Sequence, residues 1–164
     1  MGRIQKLARN PLAIALVLSL TLAGCSNKHG LNDPNALGLN NAKPGSPQDF
    51  TVNVGDRVFF DLDSSSIRAD AQQTLARQAQ WLNRYSQYTI TVEGHADERG
   101  TREYNIALGQ RRAVAARDYL VSQGVAANRM RTISYGKERP VAVCDAPQCW
   151  NQNRRAVTVL NNAQ

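Results

Sequence analysis

Aromatic residues make up only 6 % of this 164-residue chain, and there are just two histidines and three cysteines. These shortages exclude several readings. No basic stripe with interleaved aromatics appears, so the formal charge of +7 does not point to nucleic acid. Removing the +3 of residues 1–24 (Arg3, Lys6, Arg9 and no acid) leaves +4 on the remainder, where acids lie among scattered arginines. No HExxH spacing and no second histidine cluster occurs, and His29 stands alone in a polar stretch, which leaves a metal without a ligand set. A CxxC redox motif and internal repeats are also missing. Pro11–Leu20 is apolar, but a run of about ten residues is too short to span a bilayer as a mature helix. Hydrophobic residues, at 42 %, lie just under the usual globular range and leave room for one core.

The N-terminus has the layout of a secretory signal: a basic head, the short apolar block, then small residues. Leu22-Ala23-Gly24-Cys25 resembles the bacterial lipobox, in which the cysteine is lipidated and becomes the first residue after cleavage. Two or more acyl chains, at roughly 0.8 kcal/mol per buried methylene, make such an anchor effectively permanent. Ser26 after that cysteine suggests an outer-membrane address. Residues 26–49 are rich in Asn, Gly and Pro and read as a flexible tether, reaching up to roughly 80 Å at about 3.3 Å per residue. The organisation expected is a lipoprotein signal over 1–24, a lipidated N-terminus and tether over 25–50, and one domain over 51–164.

Within the domain, Val52, Val54 and Val58-Phe59-Phe60 predict a first strand, with a break at Val54–Arg57. Asp61–Ser66 is a polar turn, with Ser66 as a candidate N-cap. Ile67, Ala71, Leu75, Ala79 and Leu82 predict an amphipathic helix over 67–85, with Trp81 packing beside its stripe. A second strand is expected over 87–93 and a second long helix over 102–123, stopped by Gly124. Strands over 129–135 and 154–160 follow, the last preceded by a short helix. The order of elements gives an α+β fold, a mixed sheet with helices packed on one face. Cys144 and Cys149, in a chain bound for an oxidising compartment, are expected to form a disulfide.

The stretch Glu93–Asn105, continuing to Arg111-Arg112-Ala113, joins a strand to a helix and is dense in charge. His95, Asp97 and Glu98 come from one short turn. No nucleophile accompanies them, and His95 is read as a structural residue that hydrogen-bonds that turn. Asp97 offers an acceptor for an ammonium. Arg112 falls on the stripe Tyr104, Leu108, Arg112, Ala116, Leu120, so it should face inward, where a guanidinium can clamp a carboxylate. Two readings remain open: a site for a small group bearing both an ammonium and a carboxylate, or a plain Asp97–Arg112 salt bridge.

The run Gly94-His95-Ala96-Asp97-Glu98-Arg99-Gly100-Thr101-Arg102-Glu103-Tyr104-Asn105, with Ser134-Tyr135-Gly136-Lys137-Glu138-Arg139-Pro140 and Asn151-Gln152-Asn153-Arg154-Arg155-Ala156-Val157, resembles the OmpA-like peptidoglycan-binding domain over about residues 54–160. With the lipobox and tether, the chain is similar to the lipid-anchored members of that family in the Tol–Pal system. The resemblance implies an OmpA C-terminal-like βαβαβ domain with no enzymatic activity and no cofactor. Such a domain binds the stem peptide of uncrosslinked peptidoglycan through meso-diaminopimelate. By position, the family's ligand residues fall on Asp97 and Arg112, favoured over Arg111 by both stripe and motif. Asn105, Leu108, Asp61 and Thr101 accompany them, and Glu98 lines the turn. Asn153-Arg154-Arg155 is expected to support the site. Two features depart from the pattern: Ala96 replaces a common Thr, and the Cys144–Cys149 insert is absent from many members. The resemblance implies TolB, a periplasmic β-propeller, and TolA as partners. A pure protein-interaction adaptor with incidental wall binding is the alternative.

Overall fold

The computed structural model describes residues 42–161. The signal, Cys25 and most of the tether lie outside the described residues. A short helix α1 (Pro47–Asp49) runs on into a π-helical turn, Phe50–Gly55. The remaining elements are β1 (Arg57–Phe59), α2 (Ala69–Arg84), β2 (Ile90–His95), α3 (Arg102–Ser122), a 3-10 turn (Ala127–Arg129), β3 (Met130–Gly136), α4 (Pro147–Asn153) and β4 (Arg155–Leu160). The sheet has the order β1-β4-β2-β3. β4 pairs antiparallel with both β1 and β2, while β2 and β3 are parallel and joined by α3. This is the mixed sheet expected, and α2 and α3 cover one of its faces. Among the described helices none is long and apolar enough to cross a membrane.

Alternation along the strands creates the covered face. Val58, Ile90, Val92, Met130 and Ala156 point into a core closed by Ala71, Leu75, Ala79 and Leu82 of α2 and Ala113, Ala116 and Leu120 of α3. Two polar side chains are buried there and satisfied: Gln78 donates to the carbonyl of Gly55 at 2.7 Å and accepts from the Thr158 hydroxyl at 2.8 Å. Gly124, at φ 89°, ends α3, and its N–H donates to the Val121 carbonyl.

Four expectations are corrected. Val52 and Val54 belong to the π-helical turn, not to a strand, because Phe50 must enter the core beside Trp81. Ser66 does not cap α2. That helix begins at Ala69 after Arg68, and the Ser66 N–H donates instead to the Ser64 hydroxyl within the preceding loop. β2 runs to His95, two residues past Glu93. The tether ends before Asp49, since Asp49 accepts from Trp81 Nε1 at 2.8 Å and the Tyr88 hydroxyl donates to the Gly45 carbonyl at 2.9 Å. Residues 42–50 are part of the fold.

Candidate functional site

The site lies where β2 ends and α3 begins. Thr101 takes extended backbone before α3, and its hydroxyl accepts from the Tyr104 N–H at 3.2 Å, which starts the helix. Asn105, buried one turn on, donates to the Arg99 carbonyl at 2.7 Å and holds the preceding loop against the helix. Gly109 in α3 touches Gly94 in β2, backbone against backbone, so the next turn of the helix brings Arg112 alongside the strand's end.

Arg112 is fully buried, at 0 % exposure. It is held by carbonyls and not by an acid: Nε donates to Ser64 at 2.8 Å, Nη1 to His95 at 2.8 Å and Nη2 to Asp61 at 3.2 Å. Three of a guanidinium's five N–H groups are thus engaged. Burial, then repulsion from Arg154, lowers Arg112 to about 10, with Asp97 and Asp63 opposing, so it stays charged at neutral pH.

Asp97 is 6 % exposed. It accepts from Arg99 Nη2 at 2.7 Å and from Arg154 Nη1 at 3.2 Å. Burial pushes its carboxyl up, but hydrogen bonds from Arg99 and Arg154 outweigh that and hold it below the usual carboxylate range. The plain Asp97–Arg112 salt bridge is therefore corrected: the aspartate's ion pairs are with Arg99 and Arg154.

Asp97, Arg112, Asn105 and Leu108 open onto one cleft of about 220 Å³, shared with Leu62, Asp63, Arg99, Gly100 and Tyr104. The carboxylate of Asp61 lies outside it and accepts from Arg68 at 3.2 Å, while its backbone carbonyl holds Arg112. Thr101 serves as the helix cap. Glu98 faces away and accepts from Trp150 Nε1. His95 is corrected as well. Its imidazole makes no hydrogen bond to the turn, both ring nitrogens are buried without partners, and the ring lies against Tyr135 on the far side of the strand. Burial, with Arg155 and Arg139 nearby, lowers it to about 4, so the 3.6 Å approach to Glu93 is not an ion pair at neutral pH.

The sequence reading missed Leu62, Asp63, Arg99, Gly100 and Tyr104 as cleft residues. Tyr104 begins the inward stripe but sits exposed at its rim, where its hydroxyl donates to Asp63. Asp63 adopts φ 55°, a left-handed conformation that Asp tolerates better than most residues. The polar run Asp61–Ser66 was the only signal for it. Arg154 donates to the Asp97 carboxylate, and Cys144 and Cys149 form the expected disulfide, with Cα atoms 5.7 Å apart. Asn153 donates to the Ala142 carbonyl and accepts from the Val141 and Ala142 N–H groups, tying the disulfide loop to α4.

The OmpA family model matches residues 59–155. A "Peptidoglycan-associated lipoprotein" of Brucella melitensis is 73 % identical over 99 % of both chains. One of Pseudomonas aeruginosa is 45 % identical, covering 86 % of this chain and 91 % of that one. The crystal structure of the peptidoglycan-associated lipoprotein from Burkholderia pseudomallei superposes with a TM-score of 0.63 at 45 % identity, covering 65 % of this chain and 90 % of that chain. The C-terminal domain of Helicobacter pylori MotB, at TM-score 0.61 and 24 % identity, shares the fold. The chain belongs to the OmpA family and, within it, to the peptidoglycan-associated lipoproteins.

Proposed function

We propose that the chain is an outer-membrane lipoprotein, anchored through Cys25, whose periplasmic domain grips the stem peptide of peptidoglycan non-covalently and so ties membrane to wall within the Tol–Pal system. The ligand group is the distal centre of meso-diaminopimelate, which carries an ammonium and a carboxylate. One observation carries this reading: an ionised acid, Asp97, and a charged guanidinium, Arg112, with N–H groups to spare, line the same cleft. Arg112 donates to the ligand carboxylate bidentately, Asp97 accepts from the ammonium, and Leu108 and Tyr104 flank the carbon between them. TolB and TolA are the partners expected of this reading. The function is binding and not hydrolysis. Asp97 opens onto one cleft, Glu98 onto another, and the His95 imidazole onto neither, so these three groups do not converge on one bond.

The test is a titration of the full chain with a muropeptide carrying free meso-diaminopimelate, alongside pull-down with sacculi. Asp97→Asn and Arg112→Lys should each weaken binding roughly tenfold or more, the scale of a lost charge-assisted contact. Unchanged binding in both folded variants would remove the site. Wall-independent capture of TolB, with no titration by muropeptide, would instead favour the adaptor reading.

A further inference from the structure

Asp97 has no vacant acceptor direction. A carboxylate offers about four lone-pair sites. Oδ1 receives the backbone N–H of Arg99 and its Nε, both at 3.2 Å. Oδ2 receives Arg99 Nη2 at 2.7 Å and Arg154 Nη1 at 3.2 Å. An ammonium entering the cleft can hydrogen-bond Asp97 only if a resident donor leaves.

The donors differ in how firmly they are held. The Arg99 backbone N–H is fixed by the turn. Arg154 is 11 % exposed, its Nε donates to the Phe60 carbonyl at 3.1 Å, and Nη2 donates to Asn151. Three separate contacts therefore pin its guanidinium. Arg99 is 37 % exposed and lines the cleft itself. Apart from Asp97, its guanidinium rests on the face of Trp150, 3.9 Å from the ring centroid. That contact leaves its N–H groups free to be satisfied by water once it swings outward.

We infer that Arg99 is the resident occupant of the ammonium position and is displaced from Asp97 when ligand binds. The inference rests on the wall-binding reading above and adds a residue that sets affinity by competition. Arg99 and the ligand's ammonium are alternative cations for one carboxylate. A ligand succeeds because Arg112 holds its carboxylate at the same time, which a lone amine cannot match. The apparent affinity is lowered by the fraction of molecules in which Arg99 still occupies Asp97.

The test uses the full chain and the same meso-diaminopimelate muropeptide, comparing wild type with Arg99→Gln, Arg99→Ala, Asp97→Asn and Asp63→Asn. Both Arg99 variants should bind roughly two- to fivefold tighter, the range a partly exposed guanidinium–carboxylate pair commands. A second readout separates displacement from a structural effect. Ligand should change the tryptophan emission of the wild type as Arg99 leaves Trp150, and should change that of Arg99→Gln much less. The buried Trp81, packed against Phe50 far along the sequence, is common to both. If the wild type binds, Asp97→Asn does not, and the Arg99 variants bind equally or more weakly, displacement is overturned while the wall-binding reading stands. Loss of binding in Asp63→Asn with none in Asp97→Asn would place the ammonium on the other acid and also overturn it. No binding by the wild type sinks both.

Discussion

The backbone carbonyl oxygen of Gly109 lies 1.8 Å from where a Cβ on Gly94 would stand. Helix and strand are thus in contact at their main chains, and no side chain fits between them. Three residues beyond Gly109, Arg112 reaches the carbonyl of His95, the residue after Gly94, at 2.8 Å. The glycine contact sets the depth at which the guanidinium sits.

Gly94→Ala should therefore cost roughly 4 kcal/mol or more, because the atom it meets is backbone and cannot turn away. Gly109→Ala should be milder. Its Cβ meets Ser134 Oγ at 2.4 Å and the Gly94 carbonyl oxygen at 2.9 Å, and the first of these can be removed. Ser134→Ala should then partly restore Gly109→Ala and leave Gly94→Ala unimproved. Chemical denaturation of the four variants decides it. Equal rescue of both would mean that the helix shifts as a unit.

Arg112 holds the structure as well as lining the cleft. Arg112→Ala would remove the guanidinium donor from the carbonyls of Ser64 and His95, at roughly 1–3 kcal/mol for each group that stays dry, while the Asp61 carbonyl keeps the Ser64 N–H. That variant should unfold at much lower denaturant than wild type, so its loss of binding says little. Arg112→Lys keeps the charge but not the planar fork. It should stay folded, with lost binding exceeding lost stability. Comparison of denaturation midpoints with muropeptide titrations checks this, and an Ala variant as stable as wild type would contradict the carbonyl cradle.

Stability should fall with acid before Asp97 protonates. His95 is lowered to about 4 in the fold against an ordinary 6.5, chiefly by burial. Between these values the unfolded chain takes the proton and the folded chain resists it, so the folded state loses ground as pH drops through that window. The gap is worth roughly 3 kcal/mol at most. Glu93, at 3.6 Å, offsets part of it once the ring charges, while Arg155 and Arg139 oppose. Asp97 behaves differently: its depressed carboxyl gives up its contribution only as pH falls below the ordinary carboxylate range. Unfolding curves between pH 7 and 4 should steepen in wild type relative to His95→Leu, and parallel curves would exclude His95 as the source.

Asp49 anchors the segment before the sheet. It accepts from Trp81 Nε1, from the Gly45 N–H at 2.9 Å and from Asn53 at 2.8 Å. Asp49→Ala should destabilise the domain by roughly 1–3 kcal/mol through the unpaired indole and amide donors. A denaturation midpoint unchanged from wild type would show residues 42–50 to be outside the cooperative unit.

Much of the fold was legible in local pattern. The helical period from Ala71 to Leu82, the alternation through Ile90 and Val92, and Gly124 as a stop each act within a few residues, so order along the chain reveals them. The charge-bearing stretch from Asp97 to Arg112 was equally visible, because a guanidinium on an apolar helical stripe must find partners. The identity of those partners was not visible. Three carbonyls from residues 61–95 meet Arg112 and two arginines meet Asp97, one from 57 residues away. Those meetings depend on β4 inserting between β1 and β2 and on two glycines letting a helix touch a strand, and neither leaves a short-range signature. The turn to helix at Phe50 was hidden for the same reason: Val52 and Val54 alternate like a strand, but burial of Phe50 against Trp81 outweighs that preference. Spacing decides which residues carry charge and which face they share. Packing at long range decides which charge answers which.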